Sequence, residues 1–361
     1  MRAAVMRHNQ LRVEDLPTPE PGPGEVLVKT LACGICGSDL HALKHTRELV
    51  EGAARSGGPF IMDLEREVVM GHEFCAEVLD YGPDTEVTVP RGARVCAMPV
   101  MIRGSTLETI GYSNNHPGGY GEYMRLAAPF LLPVPNGLAT AHAALTEPMA
   151  VGVHAVAKAR MERDDVPLVI GCGPVGLAVI AALKLAGVAP IVAADYSARR
   201  RELALAMGAD VVVDPGVESP FASWREAAVW RDVSRAPKLP PWVPGPALRP
   251  AVIFECVGVP GVIEQIMVGA VSGARVVVVG VCMQRDSFEP MFGINKELNV
   301  QFVLGYSGDE FAATLRHIAD GKLPVAPLIT GTVGVEGVAD AFAALASPDT
   351  HAKILVEPWH A

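Results

Sequence analysis

Two hydrophobic patterns divide the chain near residue 140. Before that point, short apolar runs such as 26–28, 68–78 and 93–99 alternate with Gly- and Pro-rich turns, which is typical of a β-rich domain with irregular loops. After an Ala-rich stretch over 139–160 that is expected to be helical, continuous Val/Ile runs alternate with helical segments. Strands without polar alternation are buried on both faces, so the second pattern predicts a doubly wound parallel sheet covered by helices.

The second region divides into elements with clear ends. Ser197 is placed to cap a helix that stops at Gly208, and Gly187 is expected to end the preceding helix in a left-handed conformation. The predicted helices span 177–186 and 197–207, and the predicted strands span 168–170, 191–194, 211–213, 252–254 and 275–279.

The segment 216–250 departs from this rhythm. It holds seven prolines and three of the four tryptophans, Trp224, Trp230 and Trp242. It is longer than a strand–helix connection needs. Two interpretations stay open: a surface insertion whose tryptophans pack on the body of the protein, or a lid or subunit contact.

Composition narrows the class of protein. The 361 residues correspond to about two domains. The most apolar stretch, 166–183, carries no charge in 18 residues, but its prolines and glycines break it into two elements, so we expect no membrane span. The formal net charge of −10 argues against a nucleic-acid partner. The N-terminus lacks the apolar core of a signal peptide, so a cytoplasmic protein is expected.

A dinucleotide-binding fingerprint follows strand 168–170 and opens a helix: Gly171-Cys172-Gly173-Pro174-Val175-Gly176. Its glycines allow a tight turn, close approach of the pyrophosphate and close helix–strand packing. Asp195 ends the next strand and would bind the ribose hydroxyls, which favours NAD over NADP. The run Arg199-Arg200-Arg201 complicates this preference, because an arginine there can either admit a 2′-phosphate or lie on a solvated helix face.

A second constellation lies in the β-rich region. It consists of Cys33 and Cys36 in a C-x-x-C spacing, His72-Glu73, and Glu147. A redox pair is one interpretation of the cysteines. One thiolate, one imidazole and one or two carboxylates also suit a catalytic zinc ion with an open position.

With these motifs the chain resembles the zinc-dependent medium-chain dehydrogenase/reductase superfamily, and its polyol, butanediol and threonine dehydrogenase branch in particular. The resemblance runs nearly end to end. It rests on the fingerprint at Gly171 and on five further blocks: 33–41, 71–74, 118–123, 147–154 and 254–258.

The resemblance implies roles for individual residues. Cys36 and His72 would bind zinc, with Glu73 and Glu147 filling or exchanging the remaining protein position. Asp39 would orient a zinc ligand, while Ser38 would take the substrate hydroxyl proton and pass it through the cofactor ribose to His41. Arg200, Val257 and Gly280 would join the fingerprint in binding the cofactor. The region 85–120 holds one cysteine, Cys96, so one catalytic zinc and no structural zinc is expected.

The resemblance also implies an architecture and a reaction. A GroES-like catalytic domain over 1–150, completed by 290–361, would enclose a Rossmann NAD domain over 151–289, with the site in the cleft and a homodimer or homotetramer as the assembly. The reaction would be hydride transfer between NAD and a secondary alcohol: a polyol, a diol or a hydroxy amino acid. Two alternatives stay open, a zinc-free NAD(P)H-dependent enone or quinone reductase of the same fold and a non-catalytic NAD-binding protein.

Overall fold

The computed structural model describes residues 1–104, 106–135, 137–241, 244–347 and 349–360. The chain forms two compact units, one from Met1–Pro148 with Ser307–Ala361, the other from Met149–Tyr306. The second unit thus reaches past the predicted boundary at 289, because a strand over Asn299–Phe302 joins its sheet.

The elements follow one another along the chain, and three single-turn 3-10 helices are left unlabelled. Up to the first boundary they are β1 (Arg2–Arg7), β2 (Gln10–Asp15), β3 (Glu25–Gly34), α1 (Gly37–Lys44), α2 (Thr46–Ser56), β4 (Val68–Val69), β5 (Glu73–Tyr81), β6 (Arg94–Ala97), β7 (Val100–Arg103), β8 (Thr106–Thr109), β9 (Tyr123–Ala127), β10 (Leu131–Pro133), α3 (Thr140–Ala144) and α4 (Thr146–Ala159), which crosses it. The second unit continues with β11 (Val166–Ile170), α5 (Pro174–Leu185), β12 (Val192–Ala194), α6 (Ala198–Met207), β13 (Val211–Val213), α7 (Pro220–Ala228), β14 (Ala251–Glu255), α8 (Val262–Gly269), β15 (Arg275–Val278), α9 (Pro290–Lys296) and β16 (Asn299–Phe302). The chain then returns to the first unit with α10 (Gly308–Ala319), β17 (Ile329–Val333), α11 (Val338–Leu345) and β18 (Lys353–Val356).

The first unit is organised around β3. Among the described residues, its main sheet runs β10-β6-β5-β3-β18-β17, and β9 also pairs with β3. Along β3 the side chains alternate between buried and half-buried until Ala32, after which Cys33 and Gly34 are also buried. The predicted β-rich character is confirmed. The run 68–78 is divided into β4 and β5 rather than forming one strand.

The second unit contains a six-stranded parallel sheet in the order β13-β12-β11-β14-β15-β16. Its core packs Val, Ile and Ala side chains from these strands against the helices. The predicted parallel sheet is confirmed, and the uncharged run 166–183 is its first strand, turn and helix. No helix in the described part of the chain is long and apolar enough to cross a membrane.

Helix ends follow the expected capping chemistry. The Ser197 hydroxyl accepts the Arg200 amide, and Gly208 ends α6 in the left-handed region. The stretch 139–160 is two helices rather than one. Pro148 has no amide to donate to the Ala144 carbonyl, so the helix is interrupted before it and restarts with Pro148 in the first turn of α4.

The segment 216–250 is anchored to the second unit by Trp224. That side chain is 3% exposed within the sheet core, and its Nε1 donates to the Val166 carbonyl at 2.9 Å. Farther along, Arg235 stacks over Trp230 and pairs with Asp164 at 2.6 Å. Trp242 lies outside the described residues. Trp224 therefore packs on the body of the protein, as the first interpretation expects, while a lid or subunit contact stays a prediction.

Candidate zinc and nicotinamide sites

Strand register brings the predicted metal ligands together. In the antiparallel pair β3–β5, Gly34 lies opposite Glu73. Cys36 follows the end of β3 by two residues, and His72 immediately precedes β5. One ligand atom each from Cys36, His72 and Glu73 lies within 4.8 Å of the other two. His72 is 8% exposed and Glu73 is fully buried, so the cluster is largely shielded from water.

The turn before His72 depends on a glycine. Gly71 has a φ of +101°, and a Cβ there would lie 2.7 Å from the Tyr120 ring and 2.9 Å from the Cys33 sulfur. Only glycine accepts both constraints. The Cys33 thiol is thus packed inside the unit, whereas Cys36 is half-buried and clusters with His72 and Glu73. The redox-pair interpretation of the two cysteines stays a prediction.

Asp39 is a buried carboxylate surrounded by donors. It accepts the Tyr112 hydroxyl at 2.8 Å, the Tyr120 hydroxyl at 2.5 Å and the Cys36 amide at 3.1 Å. Burial opposes its charge, but His72 and the two tyrosine hydrogen bonds outweigh burial and lower the pKa of Asp39. Its other neighbour is Nδ1 of His72, at 3.4 Å.

This arrangement fits the donor set of a zinc site. Nδ1 of His72 is buried, makes no hydrogen bond within the described residues and faces Asp39. Nε2 is therefore the ring nitrogen left for a metal, the usual orientation of a carboxylate-supported histidine ligand. Burial disfavours the imidazolium, but the Asp39 charge outweighs it and raises the pKa of His72. Thiolate, imidazole and carboxylate ligands together suit zinc.

Ser38 and His41 share helix α1 with Asp39. The Ser38 Oγ lies 2.9 Å from the Tyr112 hydroxyl, so the structure links Ser38 to Asp39 through a tyrosine. His41 lies one turn farther along the helix. Burial lowers the pKa of this half-buried histidine, and the charges of His45 and Lys44 lower it further.

Glu73 has a lysine partner. The Lys353 ammonium donates to both Glu73 carboxylate oxygens, at 2.6 and 2.7 Å, and to the Ile35 carbonyl at 2.9 Å. Glu147, in the first turn of α4, is buried but is not one of the three clustered candidate ligands. Burial disfavours the charge of Lys353, but Glu73 above all and also Glu147 outweigh it, so the pKa of Lys353 is raised.

The glycine fingerprint forms a turn between β11 and α5. Pro174 starts the helix, Val175 follows it half-buried, and Gly173 is its N-cap, which directs the helix N-terminus toward any bound phosphate. A Cβ at Gly176 would lie 1.9 Å from the Gly171 carbonyl oxygen, so this glycine is required for packing. A Cβ at Gly173 would have one neighbour within 4 Å, an Arg200 nitrogen at 4.0 Å.

Asp195 stands directly after β12, at the same edge of the sheet. Its carboxylate accepts the amides of Cys172 and Ser197, each at 2.8 Å, and lies 3.9 Å from Arg200.

The three arginines of α6 differ in their surroundings. Arg199 pairs with Glu202 on the solvated face, and Arg201 pairs with Asp214 at 3.0 Å. Arg200 is the one of the three that faces the glycine-rich turn, where phosphate binding is predicted.

Val257 and Gly280 lie where β14 and β15 end. The buried Glu255 carboxylate accepts the Val257 amide at 2.7 Å, and its backbone carbonyl accepts the Gly280 amide at 2.9 Å. Gly280 lines a mostly apolar cavity of about 240 Å³, together with Val259 and Val281. Burial raises the pKa of Glu255, and the backbone donors oppose that rise only in part.

Comparisons with known proteins agree with this geometry. The family model for the alcohol dehydrogenase GroES-like domain matches residues 22–136, and the model for zinc-binding dehydrogenase matches residues 174–320. The (R,R)-butanediol dehydrogenase of Bacillus subtilis (strain 168) is 30% identical over 98% of this chain and 99% of its own. The sorbitol dehydrogenase of Bos taurus is 30% identical over 92% of this chain and 89% of its own. The crystal structure of 2R,3R-butanediol dehydrogenase from Bacillus subtilis covers 99% of both chains with 29% identity and a TM-score of 0.78.

The parallel nucleotide-binding sheet, the GroES-like unit and the Cys–His–Glu cluster together define a zinc-binding dehydrogenase with a nicotinamide cofactor. The chain belongs to the zinc-dependent medium-chain dehydrogenase/reductase superfamily, where it falls with the polyol and butanediol branch. The resemblance inferred from its motifs is thereby confirmed.

Two residues of the site were missed by sequence reasoning. Lys353 carries a signal, a lone lysine in the apolar run Ala352–Val356, which indicates a buried cation with a partner. Tyr112 carries none, because a tyrosine in an irregular loop has no periodicity that would place its hydroxyl.

Proposed function

We propose that this enzyme catalyses reversible NAD-dependent oxidation of a secondary alcohol, a polyol, a diol or a hydroxy amino acid, to a ketone. The observation that carries the proposal is the clustering of Cys36, His72 and Glu73 within 4.8 Å, beside Ser38 and Asp39. Its relatives named for butanediol and sorbitol favour a substrate with neighbouring hydroxyls.

Zinc at this cluster would act as a Lewis acid, lowering the pKa of a substrate hydroxyl as it lowers that of bound water to about 7. Cys36 and His72 would be its permanent protein ligands. Glu73 and Glu147 would share the remaining position, and Lys353 weakens Glu73 as a ligand because it already neutralises that carboxylate. Ser38 would accept the substrate hydroxyl proton while releasing its own hydroxyl proton toward the cofactor ribose. Asp39 would hold His72 in orientation, and His41 would return a proton to water. One zinc ion per chain is proposed.

NAD is the proposed cofactor, since it accepts hydride and lacks the 2′-phosphate. The Asp195 carboxylate would accept hydrogen bonds from the ribose hydroxyls and repel an additional phosphate. Arg200, which lies 3.9 Å from Asp195 and near Gly173, would approach the phosphates. Gly173 leaves the space that the pyrophosphate needs, and Val257 and Gly280 would border the nicotinamide.

We further infer a homo-oligomer, a dimer or a tetramer. Strand β16 is an edge of the parallel sheet, and apolar side chains on it, just after it and on the preceding helix α9 are largely exposed. They are Phe302 at 62%, Leu304 at 67% and Ile294 at 67%. Unprotected apolar edges are usually covered by a partner.

The seven cysteines are free, which supports a reducing, cytoplasmic compartment.

The decisive experiment is metal analysis combined with an NAD-reduction screen over diols, polyols, inositols and β-hydroxy amino acids, with and without a chelator. We expect about one zinc per chain and turnover that the chelator abolishes. Cys36→Ser should lose both zinc and turnover, while the matched variant Cys33→Ala should keep both. Turnover of enones or quinones without zinc would establish the reductase alternative. NAD binding without any turnover would establish the non-catalytic one.

A further inference from the structure

Tyr112 has no role in the sequence motifs or in the proposed reaction. Its hydroxyl lies 2.9 Å from Ser38 Oγ and 2.8 Å from Asp39 Oδ1. The side chain is 3% exposed, its ring makes an edge contact with Phe60 at 5.2 Å, and it lies 5.4 Å from the His72 ring. The ring is therefore fixed by packing, and the hydroxyl is held between a serine and a carboxylate.

The direction of these hydrogen bonds follows from counting protons. Asp39 receives hydrogen bonds from Tyr112, Tyr120 and the Cys36 amide, so it acts as an acceptor toward all three. A phenol has one proton to donate, and here it goes to Asp39. The contact between Ser38 and Tyr112 must then be a bond in which Ser38 donates. A serine hydroxyl also has one proton, which leaves only lone pairs on Ser38 for any other partner.

We infer that Tyr112 fixes the polarity of the Ser38 hydroxyl, so that Ser38 meets the substrate hydroxyl as a hydrogen-bond acceptor. This inference rests on the proposed function and deepens it. An acceptor is what a hydroxyl about to lose its proton requires, because a group oriented as a donor would offer that proton no lone pair to move to. Tyr112 is thus a positioning residue that acts through Ser38. Ser38 must release its own proton as it takes up the substrate proton, so its bond to Tyr112 describes the enzyme before proton transfer.

Two unreactive probes of opposite polarity test the inference in the zinc-loaded enzyme saturated with NADH. Trifluoroethanol offers a hydroxyl donor, and dimethyl sulfoxide offers only an acceptor oxygen. In Tyr112→Phe the Ser38 hydroxyl is released and can donate to the sulfoxide. We expect dimethyl sulfoxide to bind about three- to tenfold tighter than in wild type, a range that matches one net hydrogen bond. Trifluoroethanol should bind no tighter.

The matched control is Tyr120→Phe, which removes the other phenol from Asp39 without touching Ser38. Its ratio of dissociation constants for the two probes should equal that of wild type. Equal changes for both probes in Tyr112→Phe, or the same ratio shift in Tyr120→Phe, would overturn the inference. Zinc content and the thermal midpoint report whether each variant is folded.

A second variant does not depend on Tyr112 tolerating substitution. Ser38→Ala should weaken the binding of trifluoroethanol and leave the binding of dimethyl sulfoxide unchanged, because the wild-type Ser38 hydroxyl does not donate to the sulfoxide. Weaker sulfoxide binding in Ser38→Ala would contradict the assigned polarity. If wild type reduces NAD with alcohols but the probe ratios do not move, the inference about Tyr112 fails and the proposed function stands. If wild type holds no zinc and oxidises no alcohol, the proposed function itself fails.

Discussion

Lys353 and Glu73 form an ion pair in which neither side chain is more than 1% exposed, with the ammonium bonded to both carboxylate oxygens at 2.6 and 2.7 Å. Three strands create it. Gly34 at the end of β3 lies opposite Glu73 on β5 and opposite Leu355 on β18, two residues beyond Lys353. The ion pair places a compensating charge beside a candidate zinc ligand.

Removing the lysine should destabilise the enzyme and strengthen its dependence on zinc. Lys353→Met leaves a buried carboxylate without its partner, which costs about 3–5 kcal/mol of unfolding free energy. Zinc can neutralise that carboxylate, so added zinc should raise the thermal midpoint more in the variant than in wild type. Urea denaturation of the chelated protein and thermal melts with and without zinc measure both effects.

The double variant Lys353→Met/Glu73→Gln serves as the control for that substitution. With the charge at residue 73 removed, most of the lost stability should return, and the additional response to zinc should disappear. An equal zinc response in the single and double variants would show that Glu73 does not approach the metal.

Two glycines of the fingerprint should respond differently to the same methyl group. Gly176→Ala places a Cβ 1.9 Å from the Gly171 carbonyl oxygen, and such overpacking costs about 1–3 kcal/mol. Among the described residues, apart from its chain neighbours, the nearest atom to the Cβ of Gly173→Ala is an Arg200 nitrogen at 4.0 Å. This variant should therefore fold like wild type yet bind NAD at least tenfold more weakly (about 1.4 kcal/mol). Thermal melts and NAD titrations separate the two effects. Equal stability losses would contradict the assignment.

The charge of Asp195 should govern the choice between NAD and NADP. Asp195→Asn keeps an oxygen for the Cys172 or Ser197 amide but removes the charge that would repel a 2′-phosphate. We expect the ratio of kcat/KM for NAD to that for NADP to fall about tenfold or more. Arg199→Gln is the control, since Arg199 pairs with Glu202 on the solvated face, and its ratio should not change.

The part of the nucleotide-binding unit up to Val213 could be predicted closely because its signals are local. Strand 211–213 and the capped helix ending at Gly208 agree with β13 and α6. Helix α5 begins three residues before its prediction, since Pro174 suits a first helical position.

The candidate zinc site could be predicted only in part, because it depends on contacts between segments that are distant in the sequence. The ligand types were readable from Cys36 and His72-Glu73, but Lys353 is 280 residues from Glu73 in sequence, and Tyr112 is 73 from Asp39. Strand register and loop packing create these contacts, and neither leaves a periodic signal in a single sequence.

The pKa of His41 predicts a pH dependence of stability. Burial lowers this pKa in the folded enzyme, and the neighbouring charges of His45 and Lys44 lower it further, whereas the unfolded chain titrates near 6.5. Between those two values the unfolded state binds a proton that the folded state does not, so the unfolding free energy falls as the pH falls below about 6.5. His41→Gln removes this contribution. The thermal midpoint of the variant relative to wild type should therefore rise between pH 7.5 and pH 5.5. Lys44→Gln, which removes one of the neighbouring charges, should shift the relative midpoint in the same direction by a smaller amount. A constant difference between His41→Gln and wild type across this range would show that His41 titrates alike in both states.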